Sequence, residues 1–198
     1  MSSGIDLHLV RETYQKMSDE EITRILTQDA SGLTDEALEL VKEEIRRRHL
    51  DPNLIKGVDA QQVSFTPEEV DEYCELIRRL PCPVTGSCSE KLNATLTVVA
   101  VSYVFLTQYE KKLIVASPAI LDKANNKSLL KSALLGWWGF PWGFIRTPQA
   151  IFYNLKNKKT NHLDTPNNYL RRFVLAHIGE IETYRNNPEE LRRIISGN

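Results

Sequence analysis

The apolar positions of this chain change rhythm twice. Up to about residue 50 they recur at helical spacing, as Ile22, Ile25 and Leu26 and then Leu38, Val41 and Ile45, the period that lines one face of a helix. The polar residues between them act as stops and starts. Ser18-Asp-Glu-Glu21 reads as a capping box, with the Ser18 hydroxyl accepting the N3 amide, Glu21 reaching back to the cap amide, and Met17 and Ile22 as a flanking staple. Gly32 ends that helix, Thr34 caps the next, and Arg46-Arg47-Arg48 close it, where cations suit the helix dipole. The polar stretch DPNLIKGVDAQQ (51–62) reads as a linker. FTPEEVDEYCELIRRL (65–80) predicts a further helix, with Thr66 as N-cap, Pro67 at N1, Glu69 at N3 and Phe65 stapled onto Val70. Cys74 falls inside it as a small buried hydrophobe.

After Pro83 the rhythm shortens. ATLTVVAVSYVFLT (94–107) and KKLIVAS (111–117) are rich in β-branched and apolar residues and flank a polar break at Gln108–Glu110; they predict two paired strands. Neither is long enough to span a bilayer. The segment 126–159 then predicts a helix to about Leu135, a tight aromatic turn, and a second helix from about Thr147. Thr165 and Pro166 open a long helix, and Asn187-Pro188 a short last one with Leu191, Ile194 and Ile195 on its inner face. The fold class that follows is α+β, mainly helical, with a small antiparallel β-hairpin and C-terminal helices. Residues 1–62 form a helical N-terminal module with its linker, and 63–198 a second domain.

Charge adds an asymmetry to this outline. Residues 1–62 carry 8 basic and 13 acidic side chains, whereas Lys111 to Arg172 holds 11 basic ones against Asp122 and Asp164 alone. That block points to an anionic partner: a protein, a membrane surface or, ranked lowest because no binding module is recognisable, nucleic acid. The start of the sequence lacks a charged segment followed by an apolar run, and three cysteines argue against a disulfide framework. A cytoplasmic location, with membrane association as an option, is the expectation.

PCPVTGSC (81–88) reads like half of a metal site. A zinc ribbon sets two Cys-x-x-Cys knuckles on facing hairpins because Zn²⁺ takes a tetrahedral sulfur and nitrogen shell. Here the knuckle positions are Cys82, Thr85, Ser117 and Ile120. LPCPVTGS, SPAILDKANN and LLGWWGFPWGFIRTPQAI occur in the same order as in a group of bacterial zinc-ribbon proteins of unknown function, and from about Leu80 onward the chain resembles them. Residues 14–50 also resemble a short helical module found ahead of varied bacterial domains. The resemblance implies a ribbon hairpin, but three of its four ligand positions cannot supply a thiolate. The expectation is a degenerate ribbon held by packing, without metal or cofactor, with the Ile120 side chain filling the vacated volume.

Catalytic motifs are absent. His8, His49, His162 and His177 sit in no zincin, triad or deaminase spacing; His177 and Glu180 could share a helix face, too few ligands for a metal. Cys82 as a nucleophile would need a base and an electropositive pocket. The aromatic turn carries the strongest signal. Its tryptophans are open to three readings: a core plug, a protein-docking hot spot, or anchors at a membrane interface with basic residues meeting anionic head groups. The favoured function is a non-catalytic interaction protein, an inhibitor or immunity-type protein being one version. It would bind a protein partner through Trp137, Trp138, Trp142, Arg146, Lys156, Lys158 and Lys159. A peripheral membrane-surface protein binding anionic lipid is the alternative, and an enzyme with an unrecognised site the second.

Overall fold

The computed structural model describes residues 7–103 and 106–197. Among them are ten α-helices and one two-stranded antiparallel sheet, so the chain is a mainly helical α+β protein. They divide into two compact units. One comprises the chain up to Pro67 together with Val174–Ile194; the other runs over Glu68–Phe173 and takes in the last residues from Ile195. The segment Val174–Ile194 thus groups with the amino-terminal helices rather than with the 63–198 half in which the sequence reading puts it.

The first unit contains α1 (Leu7–Lys16), α2 (Asp19–Arg24), α3 (Asp35–Arg48), α4 (Asn53–Gln62) and α9 (Ile178–Thr183), with most of α10 (Pro188–Ser196). The capping box forms as the sequence dictates: Glu21 N–H donates to Ser18 Oγ and Ser18 N–H to Glu21 Oε2. After α2 the backbone widens into a π-turn and tightens into a 3₁₀ turn ending at Gly32, and Thr34 caps α3. The spaced apolar residues meet in one core of Tyr14, Ile22, Leu26, Leu38, Val41, Ile45, Leu54 and Val58. The arginine run does more than suit a dipole. Arg48 donates to the carbonyls of Tyr14 and Met17 and to Asp19, while Glu44 lies between Arg47 and Arg48. Helix α3 ends on His49 in the left-handed conformation, φ 56°.

The expected linker at 51–62 is instead α4. Asp51 Oδ1 accepts the amide of Asn53, and Leu54 and Val58, one turn apart, are fully buried. Its Gly57 faces Gly179 of α9; a Cβ there would run into Thr183 Oγ1 and the Gly179 carbonyl. The polar look of this stretch comes from Gln61, whose amide is consumed inside the unit: it accepts from Ala30 N–H and donates to the carbonyls of Leu26 and Gly57.

The second unit holds α5 (Pro67–Arg78), β1 (Asn93–Tyr103), β2 (Leu106–Ala116), α6 (Pro118–Leu135), α7 (Trp142–Lys158) and most of α8 (Asn168–Ala176). Helix α5 is as expected, with Val70, Cys74 and Ile77 buried. The strands pair in a register running from Asn93 opposite Ala116 to Tyr103 opposite Leu106. The expected break at Gln108–Glu110 therefore lies within β2, where Gln108 and Glu110 are the outward positions of a period-two alternation; the pairing continues to Tyr103 opposite Leu106. Helix α7 begins at Trp142, five residues ahead of the sequence expectation, and carries Pro148 within its length. The long helix expected from Thr165 is two: Asn167 Oδ1 accepts from Tyr169 and Leu170 N–H to start α8, and the chain breaks at His177 before α9.

A two-stranded sheet leaves each strand one open edge. That of β1 is buried, and side chains satisfy it. Asn154 of α7 accepts from Val98 N–H at 3.1 Å and donates back to the Val98 carbonyl; Asn157 donates to the Leu96 carbonyl, Asn167 to the Ala94 carbonyl, and Ser132 Oγ of α6 accepts from Ala100 N–H. Alternate residues of one strand edge are each met by an amide or hydroxyl. The stretch 154–164, which reads as a solvated basic connector, instead gives Asn154, Asn157 and Asn161 to the inner wall of the unit, each at most 2% exposed.

Candidate functional site

Helices α6 and α7 are built with polarity reversed. The buried positions of α6 are Leu121, Asn125, Ser128 and Ser132, and those of α7 Gly143, Thr147, Ala150, Asn154 and Asn157. These small and polar residues recur at helical spacing and face β1, bonded to its edge and to one another: Thr95 Oγ1 donates to Asn125 Oδ1, and Ser132 Oγ to the Ser128 carbonyl. The large apolar residues point the other way. Leu130, Leu134, Leu135, Phe144, Ile145, Phe152 and Leu155 are all exposed, as are Tyr103 and Leu106 on the strands.

The glycines of the aromatic turn make this arrangement close. A Cβ on Gly136 would strike Thr147 Oγ1 and the Ser132 carbonyl; one on Gly139 would lie 2.6 Å from Thr107 Oγ1, and one on Gly143 2.6 Å from the Gly136 carbonyl. Ser102 of β1 donates to that same Gly136 carbonyl and bonds Thr107. The glycines therefore face inward and the aromatic rings between them face out. Trp138 is 72% and Phe140 74% exposed, with Trp142 and Trp137 exposed beside them. The tryptophans of this turn are not a core plug.

Two of the three indole N–H groups are nevertheless satisfied. Trp137 Nε1 donates to the Ala133 carbonyl at 2.9 Å and Trp138 Nε1 to the Leu134 carbonyl at 3.2 Å, so the indoles bond carbonyls that the last turn of a helix otherwise leaves open. Trp137 also meets Phe144 edge-to-face. Arg146, expected as an anchor with the tryptophans, lies over the Tyr109 ring at 5.1 Å and donates to Gln149, so it is held within its own unit.

The structure separates the other expected residues from the turn. Lys156, Lys158 and Lys159 sit at the far end of α7, about 21 to 26 Å along the helix from Trp142 at 1.5 Å per residue. Cross-links fix which residues share that level. Asn125 bonds Asn154, Lys158 bonds Asn126, and Val98, opposite Lys111, bonds Asn154. Lys111, Lys112, Lys123, Lys156, Lys158 and Lys159 thus form a lysine ring whose levels spread over about 8 Å. Beyond it, towards the turn, the charges are Lys127, Lys131 and Arg146 on α6 and α7 and the exposed Glu110 on β2. Phe140 of the aromatic turn belongs to this surface, as do Phe144, Leu130 and Leu134, which escaped sequence reasoning. The signal was there: the apolar residues of 129–155 fail to fall on one stripe, whereas the Ser, Asn, Thr and Gly residues do.

The half-knuckle keeps its shape without its ligands. The Cys82 thiol is fully buried. Burial pushes it up, but hydrogen bonds from the Ser117 amide, the Thr85 hydroxyl and amide, and the Val84 amide outweigh this and bring it down to about 6. Ser117 and Thr85, two of the expected ligand positions, therefore do converge on Cys82, as hydrogen-bond donors. Ile120 is half-buried. No group of three or more His, Cys, Asp or Glu among the described residues could hold a metal. Burial pushes Cys74 up to about 12, leaving an inert thiol. His177 Nδ1 lies 2.6 Å from Glu180 Oε2, and Gln28 donates to the same carboxylate, so this pair serves the packing of the first unit. No helix among the described residues is long and apolar enough to cross a membrane. Comparison with protein-family models, with curated proteins and with solved structures finds no match.

Proposed function

We propose that this chain is a peripheral membrane-surface protein that seats the tryptophan end of its hairpin unit in one leaflet of an anionic bilayer. The observation that carries the reading is the reversed polarity of α6 and α7. In water a helix pair hides its large apolar residues; in lipid it packs through small residues and side-chain hydrogen bonds and turns its apolar residues outward. This pair does the second. The bonded indole N–H groups agree with it, since a polar group entering hydrocarbon must be satisfied from within.

Dimensions and charge support the same placement. From Lys156, the first lysine of the ring on α7, to Trp142 the helix rises about 21 Å, against about 15 Å for half a hydrocarbon core. The lysines would then lie at head-group height, where each adds about 1 kcal/mol near an anionic surface. Lys127, about 3 Å along α6 from Asn125, reaches that level through its stem, and Lys131, about 9 Å away, extends part of the way towards it. A protein partner, an inhibited enzyme among them, is the second reading, favoured by the clustering of three tryptophans; it leaves the lysine ring and the satisfied indoles without a role.

Flotation of the full chain with phosphatidylcholine vesicles, with and without phosphatidylserine, tests the proposal. Binding should require the anionic lipid, weaken in high salt and shift tryptophan emission to the blue. Trp138→Ser with Phe140→Ser should leave the melting temperature unchanged and weaken binding about tenfold or more per ring. A monodisperse protein that stays off anionic vesicles at low salt overturns the reading. So does vesicle binding that ignores the two substitutions.

A further inference from the structure

Where α7 gives way to α8 the second unit has a cavity of 320 Å³. Lys156, Asn157, Thr160, Tyr169, Arg171 and Arg172 line it, together with the 165–168 turn, and no carboxylate does. The three cations differ in availability. Arg171 is clamped by both oxygens of Asp71, at 2.6 and 2.9 Å, and serves as wall. Lys156 and Arg172 are exposed and form no ion pair among the described residues. The amino-terminal end of α8 lies in the same wall; its Tyr169 and Leu170 amides are taken by Asn167 Oδ1, so the helix adds only the field of its dipole. The walls are fixed, because Tyr169 Oη donates to Asn157 Oδ1 at 2.6 Å and Asn157 is itself tied to the β1 edge.

Two free cations and a helix terminus around one concave space call for a ligand carrying close to two negative charges on a compact group. A phosphomonoester carries that charge at neutral pH, with several acceptor oxygens, whereas a single carboxylate would leave one cation unmatched. We propose that this cavity binds a phosphomonoester between Lys156 and Arg172 at the start of α8. The site does not depend on the bilayer reading, since a soluble ester would fill it as well as a lipid head group.

Isothermal titration of the full chain with inorganic phosphate and with glycerol 3-phosphate, at constant ionic strength, tests it. Both should bind saturably. Lys156→Gln with Arg172→Gln should weaken binding about a hundredfold, about tenfold for each charge-assisted contact. Arg24→Gln with Arg46→Gln, which removes equal charge elsewhere, should leave it unchanged. No saturable binding, or equal affinity in the Lys156 and Arg172 variant with its melt intact, overturns the proposal. Vesicles then identify the source. A preference for phosphatidic acid over phosphatidylserine at matched charge, lost in that variant, assigns the site to a lipid head group; glycerol 3-phosphate binding without that preference assigns it to a free ester. Soluble phosphate binding by a protein that ignores all vesicles would overturn the bilayer reading alone.

Discussion

Asn154 is where the second unit is most easily undone. Its amide is fully buried and holds both edge groups of Val98, accepting the N–H and donating to the carbonyl, with a further bond to the Ala150 carbonyl. Asn154→Leu keeps the volume close and removes every one of these bonds. The Ala150 carbonyl retains its helical neighbours, but the Val98 N–H and C=O lose their partners on that edge. A buried group left unsatisfied costs about 1–3 kcal/mol, so the two together cost about 2–6 kcal/mol. The added apolar surface returns about 1–2 kcal/mol, leaving a loss near 3 kcal/mol. At about 2–4 °C per kcal/mol for a chain of this size, the melt should fall by roughly 10 °C. Urea denaturation followed by circular dichroism gives the energy, and amide exchange at Val98 gives the location. Asn126→Leu, at an exposed position of α6, should stay within about 0.5 kcal/mol of wild type. If Asn154→Leu is as mild as that control, or Val98 exchanges no faster, the edge is held by something other than the amide and the account of the hairpin unit fails.

Gly136→Ala should destabilise by about 1–3 kcal/mol, as overpacking does, because its methyl would meet Thr147 Oγ1 and the Ser132 carbonyl; a melt equal to wild type would show the turn to be looser than described. Glu44 is held at about 2, chiefly by its hydrogen bond from Arg47, with burial opposing and Arg48 adding to it. A depressed carboxylate stabilises fully above its ordinary value of 4.5 and loses that contribution as the pH falls towards about 2. The gap in urea midpoint between wild type and Glu44→Gln should therefore be widest near neutrality and close between those limits; a constant gap would contradict the ion pair. Metal analysis should find well under one zinc per chain, and a chelator should leave the melt unchanged, because Cys82 is bonded to amides and Thr85 and Ser117 offer no thiolate. One tightly held zinc per chain would refute this.

What could be read from the sequence was local. Ser18 with Glu21, Thr34, and the Thr66-Pro67 start fix helix ends through neighbours a few residues away, and the structure places those ends there. The paired strands were legible as β-branched runs, but their reversal was not, since Gln108 and Glu110 look like a turn until the partner strand supplies their register. The 51–62 and 154–164 stretches were misread for one shared reason. Asn and Gln are scored by their habit of bonding nearby backbone in turns, whereas Gln61 and Asn154 bond backbone 35 and 56 residues away. The aromatic turn was singled out correctly as unusual, yet its orientation depended on which face of α6 and α7 meets β1. That choice is made by the open strand edge: the helical spacing of the Ser, Asn, Thr and Gly residues marks a face, but only β1 makes that polar face the buried one.

The dependence of α6 and α7 on β1 has a consequence for how the chain is made. With amides and hydroxyls on their facing sides, the two helices have little reason to associate in water until a strand is present to receive those groups. During synthesis, residues 93–116 leave the ribosome before 118–158, so both strands are already out when the helices that need them emerge. A circular permutant that reverses this order should reach the same fold more slowly and aggregate more on the way, through rings that have as yet no template behind them.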